Sequence, residues 1–295
     1  MLVQKYGLKR GKQQYLCKGC GHQFVVRYSK KSHVLAAYKA YSEGKQTLSE
    51  LSEAHKKSSR TLQRTFDKLT FTAAENETNS LCINLLLDAT FFSRRDGVLI
   101  FRAQKKNLHW RFIETESLTE IALGLDMLDK MGYQFKSVTI DGRRGVIQLF
   151  LARYPEVPIQ LCQFHQTQIV RRYTTNRPKT PCGRALKALM THITELDEEA
   201  FSTLFFKLQE EFSDFLKERN EQDQFKHRQL RSAFRSIKSN LPYLFTYKKF
   251  PELNIPNTTN SCDGSFAHWK QKIKIHRGLR KHRRNKMIGF LLSKT

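Results

Sequence analysis

Three aspartates stand where carboxylates can do chemistry. Asp88 closes the apolar run Leu85-Leu86-Leu87, and Asp141 closes Ser137-Val138-Thr139-Ile140. Asp263 lies far downstream in Asn257-Thr258-Thr259-Asn260-Ser261-Cys262-Asp263-Gly264. Runs rich in apolar and β-branched residues form buried strands. The first two acids therefore end strand-like segments, and the third sits on a separate element. Such a set can hold a pair of Mg2+ or Mn2+ ions. Two ions about 3.5–4 Å apart activate an attacking hydroxyl or water and stabilise the leaving oxygen of a phosphodiester. The plainer alternative is a pair of turn-capping aspartates, which Asp141-Gly142 fits well.

The surroundings favour a polyanionic partner. The 295 residues include 52 Lys and Arg against 27 Asp and Glu, a net charge of +25. That field attracts nucleic acid without regard to sequence. The charge gathers at both ends: residues 265–295 hold ten Lys and Arg and no acid, and residues 1–80 hold fifteen against six acids. No run of 18 apolar residues predicts a membrane span. Of the six cysteines only Cys17 and Cys20 are close neighbours, which fits a reduced, cytoplasmic setting better than a disulfide framework.

The elements that must position the acids are legible in outline. Residues 12–26 read as a hairpin with a Cys-x-x-Cys-Gly knuckle. Cys17 and Cys20 are candidate zinc ligands, two short of the four a structural site needs, with His22 a candidate third. Residues 46–69 read as a helix-turn-helix within 31–72. Leu48, Leu51 and Ala54 line one helix, and Ser58 or Ser59 caps the next. The second helix buries Leu62, Phe66 and Leu69 and presents Arg60, Gln63 and Arg64, residue types that read base edges in a major groove. An ordinary helical hairpin is the alternative. Thr72–Ser80 reads as a linker.

From Leu81 the pattern turns to strands. Leu81–Phe92, Val98–Gln104 and His109–Glu114 predict an antiparallel meander. A helix follows over 118–132, with Leu118, Ile121, Leu125, Leu128 and Met131 at helical spacing. Then come a strand over 134–141, a helix over 143–153, a strand over Pro158–Cys162, and a helix bearing His165. The 53 residues between Asp88 and Asp141 suit adjacent strands. Residues 176–250 predict an all-helical insertion, with Phe201, Leu204, Phe205, Leu208, Phe212 and Phe215 on one stripe and Leu230, Phe234, Ile237 and Leu241 on another. A final helix starts near Thr258. The expectation is an α/β chain: a knuckle over 1–30, a DNA-binding unit over 31–72, a mixed sheet of order βββαβαβα over 81–175, the insertion, and a closing helix with a basic tail over 251–295. That strand order is the one of the RNase H-like fold.

These motifs carry a resemblance. Asp88-Ala-Thr, Asp141-Gly, Leu161-Cys162-Gln-Phe-His165-Gln and Thr258-Thr259-Asn260-x-x-acid resemble the Mutator-type transposases of bacterial insertion sequences. The front end is similar to the variant group with a zinc ribbon and a helix-turn-helix. The resemblance implies an RNase H-like DD(E/D) nuclease and strand transferase using two Mg2+ or Mn2+ ions. It implies a catalytic triad of Asp88, Asp141 and Asp263, with Asp where the family usually has Glu. It further implies double-stranded DNA partners (terminal inverted repeats and target DNA), a homo-oligomer on DNA, a nucleoid-associated location, and a first ribbon knuckle upstream of Met1. Cys162 and His165 stand at a spacing that could bind zinc, with no further ligand pair in view; by the resemblance they form a structural or DNA-positioning motif, either a packed cysteine with a hydrogen-bonded histidine or a His165 that contacts phosphate. Lys270, Lys272, Lys274, His276, Arg277, Arg280, Arg283 and Arg284 are the expected phosphate grips. Trp110 and Trp269 are expected to pack, or Trp269 to stack on an unpaired base. Glu195, Glu198 and Glu199 are rival third acids. A non-catalytic, transposase-derived DNA-binding protein or repressor, favoured by the incomplete ribbon and Asp263, and an RNA nuclease stay open.

Overall fold

A computed structural model describes residues 3–25, 30–72, 80–276 and 278–294. Val26 of the expected knuckle, residues 73–79 of the expected linker and the expected phosphate contact Arg277 lie outside the described residues. The chain forms two compact units, Met1–Thr70 with Ile275–Gly278, and Phe71–Lys274 with Leu279–Thr295.

In the first unit β1 (Val3–Lys9), β2 (Lys12–Cys17) and β3 (Gln23–Val25) form an antiparallel sheet in that order. The expected hairpin is β2–β3, where Tyr15 faces Phe24 with ring centroids 5.9 Å apart. Strand β1 is exposed along its whole length, so no hydrophobic alternation announced it. Helices α1 (Lys30–Ser42), α2 (Leu48–His55) and α3 (Ser59–Asp67) follow. Thr47 and Glu50 make a capping box on α2, and Ser58 Oγ accepts the Thr61 N–H at 3.2 Å to start α3. Tyr38, Tyr41, Leu51, Leu62 and Phe66 are buried, with the two tyrosine rings 5.1 and 5.7 Å from Phe66. Ala54 is exposed, against expectation: α2 has eight residues and ends at Lys56 in the left-handed region (φ 49°), so Leu51 is its buried residue. Leu69 lies past the end of α3 and is half-buried.

The second unit begins with β4 (Cys82–Ser93), β5 (Asp96–Ala103), β6 (Lys106–Ile113), α4 (Leu118–Lys130), β7 (Gln134–Ile140), α5 (Arg144–Arg153), β8 (Ile159–Leu161) and α6 (Gln163–Thr174). Its sheet has the order β6-β5-β4-β7-β8. Strand β5 is antiparallel to both neighbours, and β7 is parallel to β4 and β8. Asn84 pairs with Ser137, Leu85 with Val138 and Leu86 with Thr139. This register puts Asp88 level with Asp141, two steps further along.

Side chains alternate across a strand, so the sheet has two characters. Ile83, Leu85, Leu87, Val138 and Ile140 join a hydrophobic cluster with Ile121, Leu125 and Leu128 of α4 and Val146, Ile147 and Phe150 of α5. A Cβ on Gly124 would stand 2.0 Å from the Phe101 ring, so only glycine lets α4 sit this close. The opposite parity carries Asn84, Asp88, Arg102, Ser137 and Thr139.

The insertion comprises α7 (Pro181–Thr191), α8 (Glu198–Glu211), α9 (Ser213–Lys217), α10 (Arg228–Leu244) and α11 (Thr246–Lys249). Phe201 and Phe205 are fully buried against Phe245 and Phe234, and this core is continuous with that of the sheet. Leu204, expected on the same stripe, is exposed. Then come α12 (Asn260–Ile275) and α13 (Lys281–Leu292). The expected basic tail is therefore largely a second helix. It is anchored because Met287, Ile288, Phe290, Leu291 and Leu292 are buried. Among the described residues no helix is long and apolar enough to cross a membrane.

Candidate metal centre

Asp88 lies in the middle of β4, opposite Ile100 of β5. The strand runs on to Ser93 rather than ending at the acid. Asp263 occupies the first turn of α12. Polar side chains of the sheet fasten the chain leading to it. Asn84 Nδ2 donates to the carbonyls of Leu253 and Asn254 at 2.7 and 3.1 Å. Thr139 Oγ1 donates to the Pro256 carbonyl at 2.7 Å, and Ser137 Oγ donates to Asn84 Oδ1 at 2.9 Å, which orients that amide. Arg102, buried on β5, donates to the Ser261 carbonyl and to Ser265 Oγ, and its Nε donates to Asn107 Oδ1 at 2.8 Å. A buried guanidinium is tolerable only when its donors are matched in this way.

Cys162 follows β8 as the N-cap residue of α6, and His165 sits in that helix's first turn. The Thr259 N–H donates to Cys162 Sγ at 3.3 Å. Thr259 Oγ1 lies 3.5 Å from the same sulfur and 3.4 Å from His165 Nδ1. The segment before α12 is thus tied to the sheet and to α6 together.

These ties bring donor atoms of Asp88, His165 and Asp263 within 4.8 Å of one another. Asp88 Oδ1 accepts the Ala89 N–H at 2.8 Å, but Oδ2 of Asp88 and Oδ2 of Asp263 are buried without a hydrogen-bond partner. Two orphaned carboxylate oxygens facing an imidazole fit a divalent cation, which would satisfy both. Burial pushes the Asp88 carboxyl up to about 7, opposed by the His165 charge, reinforced by Asp263, and opposed again by the Ala89 N–H and the Thr259 hydroxyl. Burial also raises Asp263, against the pull of His165 and Lys270. The hydrogen bond with Cys162 raises His165 to about 9; burial works against this, and the charges of Cys162, Asp88 and Asp263 reinforce it. Burial lifts the Cys162 thiol, but hydrogen bonds with His165 and Thr259 more than offset it, so it stays below the ordinary value.

Asp141 is not in this group of three. It stands one residue past β7, where its Oδ1 accepts the Arg143 N–H at 3.3 Å. Arg143 pairs with Glu116 at 3.0 Å, and the Glu116 carboxyl is raised by burial first and by Asp141 second. The Asp141 carboxyl is itself raised by burial, against Arg143 and His165. It therefore shares the rim with His165 but belongs to a neighbouring Asp141–Arg143–Glu116 cluster. Glu116, between β6 and α4, escaped the sequence reading because a lone acid after a strand carries no signal.

The other expected residues divide. Arg60 and Arg64 are exposed on α3 and Gln63 is half-buried. Lys270, Lys274 and Arg280 are exposed; Lys272 and Arg283 are half-buried. Arg284 is not a free phosphate grip: it is paired with buried Asp96 at the start of β5. His276 packs on Tyr41, ring centroids 4.2 Å apart, and burial holds its pKa below the usual range. Trp269 is buried at 2% exposure against Phe266, which rules out its stacking on a base. Trp110 is half-buried. Glu195 and Glu198 pair with His192 and Lys249, and Glu199 is exposed. The Cys17 thiol is held below its usual range by the backbone N–H groups of Cys20 and Gly19, as suits a zinc thiolate. Among the described residues no third ligand joins Cys17 and Cys20. Comparison with models of known protein families finds no match, and neither does comparison with curated proteins.

Proposed function

We propose that this chain is a DNA transposase of an insertion sequence, with an RNase H-like core that cuts and joins DNA strands with the help of divalent cations. The observation that carries the reading is the meeting of Asp88 and Asp263, from a central strand and a distant helix, with two buried and unpartnered carboxylate oxygens. The element order βββαβαβα and the sheet order β6-β5-β4-β7-β8, with β5 running against the rest, support the fold assignment. Asp88 and Asp263 would hold one cation. Asp141, level with Asp88 on the adjacent strand, would serve a second. Bound there, two magnesium or manganese ions would supply positive charge to the attacking and leaving oxygens of a phosphodiester.

The chain's own residues do the rest. The Asn84, Thr139 and Arg102 hydrogen bonds keep Asp263 at fixed reach of Asp88, and the cost of ordering is met during folding rather than at the moment of reaction. Exposed Arg60 and Arg64 on α3 would meet duplex DNA at the terminal repeats, and Lys270 and Lys274 would meet phosphates beside the acids. Joining two element ends calls for more than one copy on DNA. Cys17 and Cys20 would supply half of a zinc site.

The test is metal-dependent nicking of a terminal-repeat duplex by the full chain in Mg2+ or Mn2+. Asp88→Ala should slow it by about 10^3-fold or more, because cation stabilisation of the transition state is worth several kcal/mol. A second reading, a DNA-binding protein without catalysis, is favoured by one observation: Asp141 stands outside the group of three and is engaged by Arg143. Duplex binding with equal silence of wild type and Asp88→Ala in both metals would establish that reading instead.

A further inference from the structure

The resemblance implies a triad of three aspartates, with His165 beside it as a structural or phosphate-contacting residue. The geometry points elsewhere. The donors that meet are two carboxylates and an imidazole: Asp88, Asp263 and His165, all within 4.8 Å of one another. We propose that His165 is a nitrogen ligand of the cation held between Asp88 and Asp263, so that this position prefers a transition ion such as manganese over magnesium. The inference rests on the reading of this site as a cation centre.

Three observations support it. First, three donor atoms within 4.8 Å of one another lie no more than about 2.8 Å from a common centre, so reaching bonds of about 2.1 Å requires each to move by less than about an ångström. Second, the buried Oδ2 atoms of both aspartates have no hydrogen-bond partner, a lack that a cation between them would fill. Third, His165 has the surroundings of a metal ligand. Its Nδ1 lies 3.4 Å from Thr259 Oγ1, which lies 3.5 Å from Cys162 Sγ. Held at Nδ1 by that hydroxyl, the ring would bind a metal through Nε2 once the ion displaces the proton there. A ring nitrogen pinned in this way is the usual companion of metal ligation by the other. Magnesium takes oxygen donors and keeps its waters, whereas imidazole suits first-row transition ions better. The motif Cys162-x-x-His165 is then a ligand with its support: the cap residue orients the turn, and the histidine reaches the ion.

The test loads the full chain with substoichiometric Mn2+ and reads nitrogen coupling by pulsed electron paramagnetic resonance. Wild type should show a histidine 14N coupling that changes to the 15N pattern when the protein is made with 15N-histidine, which needs no substitution and so no assumption about folding. Asp88→Ala should abolish it, assigning the signal to this site. His165→Gln should remove the coupling and lower the ratio of Mn2+ to Mg2+ affinity by about tenfold. Mn2+ bound at the Asp88 site without nitrogen coupling would overturn the inference and leave the cation centre standing, with His165 free to contact phosphate. Absence of any Mn2+ binding that Asp88→Ala weakens would overturn both.

Discussion

Asp88 and Asp141 stand level on neighbouring parallel strands, yet they occupy different environments. Asp88 faces Asp263 and His165, and one of its oxygens is buried without a partner. Asp141 accepts from the Arg143 backbone and sits beside an arginine already paired with Glu116. Equal register therefore does not make equal sites. What separates them is what arrives from elsewhere in the chain: α12 and the first turn of α6 come to Asp88, while the loop after β6 and the start of α5 come to Asp141. An acid left with a buried, unpartnered oxygen is a candidate ligand. An acid that its neighbours engage is part of the scaffold until a second ion draws it in.

Cation affinity is where this contrast should show most. Asp88→Ala is expected to weaken Mn2+ binding by at least about 100-fold and Asp141→Ala by about tenfold, read by calorimetric titration of the full chain. Equal losses would put both acids in one donor set and erase the distinction. Next in size is the anchor of α12. Arg102→Leu removes the guanidinium hydrogen bonds to the Ser261 carbonyl, Ser265 Oγ and Asn107 Oδ1 and should cost about 2–4 kcal/mol in denaturant unfolding. It should also reduce cation affinity, because Asp263 loses its fixed approach. An unchanged affinity would mean that α12 is held well enough without it.

The pH dependence of the metal-free chain follows from the signs. The raised Asp88 carboxyl adds a penalty that is absent below its ordinary 3.8 and complete above about 7. The raised His165 contributes stability that is complete below 6.5 and lost as pH rises through about 9. Both trends point the same way, so the melting temperature should fall by a few degrees between pH 6 and pH 9, and added Mn2+ should flatten the slope. A metal-free chain that is most stable at pH 9 would contradict the assigned environment. The smallest effect concerns the basic residues. Lys270→Ala should reduce the salt slope of duplex binding by about one, whereas Arg284→Ala should leave the slope alone, its charge being taken by Asp96.

Much of this was legible beforehand, for reasons tied to particular residues. Helix α4 announces itself because burial on one side imposes a period on its apolar residues, as in Ile121, Leu125 and Leu128, and β5 because burial on both faces leaves a short continuous apolar run. The offset of 53 between Asp88 and Asp141 is the β4–β7 register itself. Strand β1 was invisible because neither of its faces is buried, and α13 was hidden under its basic charge although its last two turns are apolar.

Local pattern thus determined which residue types stand on which element, since helix and strand periodicity depend only on near neighbours. It did not determine the company each charged group keeps. That Asp88 gains His165 and Asp263 while Asp141 gains Arg143, that Arg284 is taken by Asp96, and that Trp269 is buried all depend on contacts between residues far apart in the chain. Electrostatic and coordination chemistry act over a few ångströms in space, and only the folded arrangement sets those distances.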